Sequence, residues 1–136
     1  MKGHCLCGAV QLTATPAEPS HPHAAACHCS MCRRWGGGPL FATEGHDVRI
    51  EGQEAVVEYA SSEWACRAFC KHCGTHLYYR LLSKPSLELS AGLFQDDVFA
   101  LDSQIYIDHK PDWYALANKT RNMTEAEVLK AFGFGD

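Results

Sequence analysis

Short runs in which apolar and polar residues alternate dominate the chain, and a period of two is typical of β-strands with one buried face. In the first run, residues 8–13, Val10 and Leu12 alternate with Gln11 and Thr13. The other β candidates are residues 24–27, 39–43, 48–50, 56–59, 64–70, 76–81, 87–90 and 105–107. The pattern therefore predicts a mainly β, antiparallel fold.

Helical periodicity is confined to the end of the chain. Residues 124–127 read Thr-Glu-Ala-Glu, which is a capping box, and Gly133 stands where a helix would end. Between them Val128, Leu129 and Phe132 form an apolar stripe. We expect a short C-terminal helix that packs on the sheet, and a single helical turn at residues 33–35 before three glycines.

Residues 14–23 show no apolar periodicity and contain three prolines, which predicts a loop. Its His21 and His23 are more typical of an exposed loop than of a metal site. We find no repeat, low-complexity run or long linker, so we expect residues 1–136 to form a single domain.

Length and charge limit the functional classes. The first residues lack the apolar run of a signal peptide, and no stretch approaches the roughly 20 apolar residues of a membrane span. We therefore expect a cytoplasmic protein without membrane contacts. The net charge is −4, which argues against a nucleic-acid partner, because such proteins need a clustered basic surface.

Cysteine is the one unusual component, with 8 residues in the chain. Seven of them form three short clusters: Cys5 and Cys7, then Cys27, Cys29 and Cys32, then Cys70 and Cys73. In a reducing compartment thiols persist, so clustered cysteines favour a metal over disulfides. Zinc is the metal that such sulfur sets bind most often.

The seven clustered cysteines divide naturally into four and three. A structural zinc prefers four protein ligands, whereas a catalytic zinc keeps one position for water or substrate. The two pairs can form a closed Cys₄ site, and the triplet then forms an open Cys₃ site. In the alternative division, Cys66 is the fourth ligand of the site formed by Cys27, Cys29 and Cys32, and both sites are then structural. A lone cysteine among apolar residues is, however, more often a core residue.

The cysteine motifs, with a late segment from Ile105 to Trp113, resemble the family of glutathione-dependent formaldehyde-activating enzymes, which includes centromere protein V. The motifs are Gly3–Val10, Cys27–Arg33 and Arg67–Leu77. The resemblance implies a compact zinc-stapled β fold in which Cys5, Cys7, Cys70 and Cys73 hold a structural zinc and Cys27, Cys29 and Cys32 a catalytic zinc. It also implies a carbon–sulfur lyase that adds a glutathione-like thiol to a small aldehyde such as formaldehyde, or cleaves the adduct.

An alternative function is a non-catalytic zinc module that binds a protein partner. For the enzyme, a substrate thiol at the open position would lose its proton more easily, because the cation stabilises a thiolate. Three thiolates already weaken the Lewis acidity of such a zinc, so we expect its exchange to be easier.

The remaining candidates are substrate-binding residues. Arg33 and Arg34 could hold a carboxylate of the substrate, and His109 and Trp113 could line the pocket. His28 is expected to point away from the cysteines, with a role as acid or base as the alternative.

Overall fold

The computed structural model describes residues 1–133 and is built mainly from β-strands, as predicted. In chain order the elements are β1 (Lys2–His4), β2 (Gln11–Pro16), β3 (His23–Cys27), α1 (Ser30–Gly36), β4 (Leu40–Glu51), β5 (Val56–Ala60), β6 (Ala65–Cys70), β7 (His76–Leu81), β8 (Leu87–Ser90), β9 (Ala100–Ile105), β10 (Arg121–Met123) and α2 (Glu125–Ala131). Short 3₁₀ turns occupy Gln53–Ala55, Ala91–Leu93 and Ile107–His109.

The chain divides into two compact units. Within the described residues, the first contains 1–23 and 42–99, and the second contains 24–41 and 100–133. The expectation that the whole chain forms a single domain stays a prediction.

The first unit contains an antiparallel sheet in the order β1-β2-β4-β8-β7-β6-β5. Alternation in β2 buries Leu12 and Ala14 and exposes Gln11 and Thr13, as the sequence pattern predicts. The core beneath the sheet is made of fully buried aliphatic and aromatic side chains, among them Val10, Leu77, Leu89 and Phe94. Cys5 and Cys70 belong to the same core, so the cysteine turns are anchored in it.

In the second unit, strand β9 lies between β3 and β10, and β9 and β10 run parallel. The predicted C-terminal helix is present as α2. The Thr124 side chain accepts the backbone N–H of Glu127, and the Glu127 carboxylate accepts that of Thr124, which completes the capping box. Val128 is buried, and Gly133 has φ +80°.

Helix α1 is longer than the single turn expected from the sequence. The Cys29 side chain accepts the backbone N–H of Cys32 at the N-terminus, and Gly37 ends the helix in the left-handed region at φ 85°. The sequence pattern does not reveal this helix because its first turn is made of a metal-type cysteine motif rather than an apolar stripe.

Other differences concern strand boundaries. The predicted strands at 39–43 and 48–50 are one strand of 12 residues, β4, which continues through Asp47 at φ 50°. The predicted strand at 105–107 is wrong beyond Ile105, because Tyr106 has φ 54° and starts a 3₁₀ turn. Strands β1 and β10 have three residues each, too few to show a period.

Neither of the two helices found between residues 1 and 133 is long and apolar enough to cross a membrane. Cytoplasmic location and the lack of a nucleic-acid partner stay predictions.

Two carboxylates face each other in the sheet of the first unit. Glu44 of β4 is directly opposite Glu88 of β8, and the Ser86 hydroxyl donates to Glu44 Oε1 at 3.2 Å. Burial raises the pKa of Glu88 to about 7, and the charge of Glu44 adds to the shift, while Lys84 and His46 oppose it. Glu88 therefore holds its proton well above the pH at which an unfolded glutamate loses it.

A pH-dependent stability follows from Glu88. Because its folded pKa lies above the unfolded value, the folded state binds the extra proton, and stability falls as pH rises from about 5 to about 7. Glu88→Gln mimics the protonated form, so we expect it to become more stable than the wild type by on the order of 2 kcal/mol as pH rises through that window. Urea unfolding of both proteins at pH 5, 6, 7 and 8 measures the difference. Parallel stability curves would contradict the assignment.

Candidate metal centres and active site

The first unit contains a group of four cysteine sulfurs that all lie within 4.8 Å of one another. They belong to Cys5, Cys7, Cys70 and Cys73. The Sγ atoms of Cys5 and Cys7 are 3.7 Å apart, and those of Cys7 and Cys70 are 3.8 Å apart. Four sulfurs placed tetrahedrally at roughly 2.3 Å from a zinc ion are about 3.8 Å from one another. The measured spacings fit a shared metal ion and are far longer than the roughly 2.05 Å of a disulfide bond.

Two turns that end in glycine, Cys5–Gly8 and Cys70–Gly74, position these sulfurs. Gly8 has φ 80° and donates its N–H to the carbonyl of Cys5 at 3.1 Å. Gly74 has φ 75° and donates to the carbonyl of Cys70 at 2.8 Å. Glycine is favoured at both places because other residues rarely adopt a positive φ.

Thr75 connects the two turns. Its Oγ1 accepts the backbone N–H of Leu6 at 3.0 Å and lies 3.2 Å from the sulfur of Cys73. This hydroxyl, with backbone N–H groups, lowers the pKa of Cys73 to about 5. Burial opposes ionisation of Cys5, but the Val10 N–H, 3.3 Å from its sulfur, helps to bring the pKa of Cys5 below the ordinary value. The surroundings therefore favour the thiolates of Cys5 and Cys73. At Cys7 the Ala9 N–H lowers the pKa, but burial and the neighbouring sulfurs outweigh it and raise the pKa to about 11.

The sulfurs of Cys27, Cys29 and Cys32 form a separate group in the second unit, again within 4.8 Å of one another. Cys27 ends β3, Cys29 is the N-cap of α1, and Cys32 is buried inside that helix. Contact with Cys29 and Cys32 strongly raises the pKa of Cys27, since neighbouring thiolates repel one another. Three thiolates so close together need a cation between them to offset their repulsion. A tetrahedral metal ion takes four ligands, so three sulfurs would leave one coordination position for another group.

Cys66, the alternative fourth ligand, is a buried residue of β6 in the first unit, 5% exposed. It hydrogen-bonds Glu58, whose carboxylate accepts from Arg80 at 2.9 and 3.1 Å and from the Tyr78 hydroxyl at 2.6 Å. Burial, and then the charge of Glu58, raise the pKa of the Cys66 thiol. These surroundings are those of a protonated core thiol and support the interpretation of Cys66 as a core residue.

His28, between two cysteines of the triplet, is fully buried. Its Nδ1 lies 2.7 Å from the Tyr114 hydroxyl, and its Nε2 lies 2.7 Å from Gln104 Oε1. Gln104 in turn donates to Thr120 Oγ1 at 2.8 Å. Sequence analysis singled out none of Gln104, Tyr114 and Thr120, because residues 76 positions or more from His28 give no local signal.

The predicted substrate-binding residues separate into two places. Arg33 Nε donates to the carbonyl of His28 at 2.9 Å, and Trp113, 72% exposed, packs edge-on against Tyr114 with ring centroids 4.7 Å apart. Arg34 is exposed on α1. His109, in contrast, contacts Glu125 of α2 at 2.8 Å. Arg33 thus contacts His28 and Trp113 contacts Tyr114, whereas His109 contacts helix α2.

The two loop histidines, His21 and His23, have protein partners. His23 contacts Glu18 at 2.9 Å and packs edge-on against His21. Asp108, His109 and Glu125 have ligand-type atoms within 4.8 Å of one another. Their contacts with one another join the 3₁₀ turn to the start of α2: the Glu125 N–H donates to Asp108 Oδ1 at 3.0 Å.

Comparisons with known proteins agree with this geometry. The model of the family described as glutathione-dependent formaldehyde-activating enzyme matches residues 1–109, which include both cysteine groups. The chain belongs to this family, as the sequence motifs predicted. It is 40% identical over 133 residues to an uncharacterized lyase of Schizosaccharomyces pombe, covering 96% of this chain and 95% of the relative.

A solved structure shares the fold. The crystal structure of a Rhodobacter sphaeroides protein is similar with a TM-score of 0.61 and 28% sequence identity. The similarity covers 72% of this chain and 91% of that one.

The four-sulfur group predicts a contrast between two buried cysteines of β6, Cys70 and Cys66. Cys70→Ala leaves three sulfurs for the metal, and we expect the variant to aggregate or to lose most of a stabilisation that is on the order of 10 kcal/mol in zinc-finger peptides. Cys66→Ala removes only a packed thiol and should cost roughly 1–2 kcal/mol. Thermal unfolding and zinc content of both variants test this. Wild-type stability of Cys70→Ala, or equal losses in the two, would contradict a structural metal centre there.

Proposed function

We propose that the protein is a zinc-dependent lyase-type enzyme that joins a glutathione-like thiol to a small aldehyde such as formaldehyde, or cleaves the adduct. The observation that carries the proposal is the division of the clustered sulfurs into four and three. A group of four satisfies a structural ion, and a group of three leaves room for a substrate atom. Family membership and the relative named a lyase support the reaction class.

In the first unit, Cys5, Cys7, Cys70 and Cys73 would hold a structural zinc. Their spacing near 3.8 Å and the low pKa of Cys73 suit a closed thiolate site. Cys5 and Cys70 are core residues, so this ion would stabilise the fold rather than act on substrate.

In the second unit, Cys27, Cys29 and Cys32 would hold the catalytic zinc. A zinc ion bound there would supply the positive charge that keeps a substrate thiol ionised at neutral pH. In the reaction, the thiol sulfur forms a bond to the aldehyde carbon, the carbonyl π bond breaks, and the thiol proton ends on the oxygen. The product is a hemithioacetal, which for formaldehyde is the S-hydroxymethyl adduct, and cleavage reverses each change.

Residues beside the triplet would bind the substrate. Arg33 is held in place by its bond to the His28 carbonyl, and a guanidinium is well suited to carboxylates such as those of glutathione. Exposed Trp113 offers an apolar surface next to Tyr114. Arg34 is a further candidate on α1; His109, engaged with Glu125, is a weaker one.

Cys29→Ser tests the catalytic role. Serine is a good N-cap, so the variant keeps the cap of α1 while removing one sulfur of the triplet. Replacing a hydrogen-bond partner of a metal ligand typically costs about 10- to 100-fold in metal affinity or activity. Because Cys29 would be a ligand itself, we expect thiol-dependent turnover of formaldehyde to fall by a factor on the order of 100 or more. Turnover with glutathione, thermal unfolding and zinc content are measured together.

The matched control is Cys66→Ser, which changes a cysteine outside both groups and keeps a hydroxyl for Glu58. It should retain turnover and both zinc ions. Full activity in Cys29→Ser would contradict the proposal. A wild type without thiol-dependent turnover on any small aldehyde would favour the non-catalytic zinc module instead.

A further inference from the structure

The loop before β3 contains two histidines whose side chains lie together. In the sequence, His21 and His23 are more typical of an exposed loop than of a metal site. In the structure their ring centroids are 4.5 Å apart, and a ring nitrogen of one lies within 4.8 Å of a ring nitrogen of the other. His21 is exposed, and the His23 side chain is 32% exposed. An ion in solution can therefore reach both rings.

A carboxylate of the same loop belongs to this group. Glu18 Oε2 lies 2.9 Å from Nε2 of His23, and the Glu18 side chain is 64% exposed. The backbone N–H of His21 donates to the Glu18 carbonyl at 3.0 Å, which closes a four-residue turn. Pro19 occupies the second position of this turn, where proline is favoured because its φ is already fixed. The turn thus brings Glu18 next to His21 as well as His23.

Proline also restricts the backbone between the two histidines. Pro22 follows His21 directly, so the ring of Pro22 fixes one torsion and disfavours the helical region for His21. With few conformations open to this segment, binding a ligand between the side chains orders little additional backbone. A site that is already ordered binds with a smaller entropy cost.

The contact between Glu18 and His23 does not by itself account for the arrangement. A surface ion pair contributes little to stability and needs only one histidine. His46 of β4 is such a plain pair, because its Nε2 lies 3.8 Å from Glu44 Oε2 and it belongs to no group of three potential metal ligands among residues 1–133. The loop differs in placing a second imidazole against the first.

Two imidazoles and one carboxylate are a ligand set for divalent transition metals. Imidazole suits nickel, copper and zinc, whereas clustered thiolates select zinc more strongly. Bonds of roughly 2.1 Å to an ion place neighbouring ligand atoms about 3 Å apart in an octahedral site. The 2.9 Å between Glu18 Oε2 and His23 Nε2 already matches this spacing. The exposed His21 side chain needs only rotate about its own bonds to join them.

We propose that Glu18, His21 and His23 form a further metal site, which takes a divalent transition-metal ion of the nickel, copper and zinc class. Water would fill the remaining coordination positions. Because all three donors are at the surface, this ion would exchange readily and leave on dialysis. The site contains none of the clustered cysteines or candidate substrate-binding residues, so it does not depend on the proposed function.

Ni²⁺ is the probe for this site, because it favours nitrogen and oxygen ligands while the cysteine groups retain zinc. Zinc-loaded protein is dialysed free of excess metal and titrated with Ni²⁺ in a calorimeter. We expect one Ni²⁺ per chain in the wild type. Losing a hydrogen-bond partner of a ligand costs about 10- to 100-fold in metal affinity, so losing a ligand in His21→Gln or His23→Gln should cost at least about tenfold. Glu18→Gln keeps a neutral oxygen and should cost less.

The matched control is His46→Gln, the same substitution at another exposed histidine beside a glutamate. It should bind Ni²⁺ as the wild type does. A second readout locates the ion, because paramagnetic Ni²⁺ broadens NMR signals of nearby nuclei. Signals of residues 18–23 should broaden, and those of His46 should not. Circular dichroism of each variant without Ni²⁺ checks that the fold is retained.

The outcomes are distinct from those that test the proposed function. A wild type that binds no Ni²⁺ would overturn the site, and so would wild-type affinity in both His21→Gln and His23→Gln. Equal weakening in His46→Gln would mean unspecific binding to surface histidines. Release of zinc on addition of Ni²⁺, without broadening in the loop, would show that the ion enters a cysteine group instead. A protein without thiol-dependent turnover but with Ni²⁺ bound at the loop would contradict only the proposed function.

Discussion

The convergence of four sulfurs from two distant segments is the constraint on which the first unit depends. Cys7 and Cys70 are 63 positions apart, and their sulfurs are 3.8 Å apart. Closing so long a loop costs conformational entropy. The binding free energy of a metal ion, on the order of 10 kcal/mol in zinc-finger peptides, can exceed this cost. Because Cys5 and Cys70 are also core residues, the loss of such an ion would expose thiolate charge inside the apolar core.

In the second unit, the segment 27–29 contains two of the three clustered cysteines and a buried histidine. Cys27 and Cys29 lie in the sulfur group, while His28 between them makes hydrogen bonds to Gln104 and Tyr114. The segment is therefore supported by the later part of the chain, from β9 to the residues before β10. The arrangement lets residues distant in sequence orient the surroundings of the proposed open metal position without themselves being ligands.

The sequence predicted the parts that depend on local pattern and failed where contacts are distant. Alternation revealed β2, spacing revealed both cysteine groups, and the capping box revealed α2. The turn at Tyr106, by contrast, uses a positive φ at a non-glycine residue, which no composition rule predicts. The contacts of His28 with Gln104 and Tyr114 likewise join residues far apart in the sequence, which only the tertiary structure brings together.

The measurement that tests the central claim most directly is zinc stoichiometry during chelator challenge. A chelator is added stepwise to the purified protein while zinc content and circular dichroism are followed together. The account predicts two zinc ions per chain, of which one leaves while the fold persists and the other leaves only as the protein unfolds. A single zinc ion, or two that resist the chelator equally, would contradict the division into one open and one closed centre.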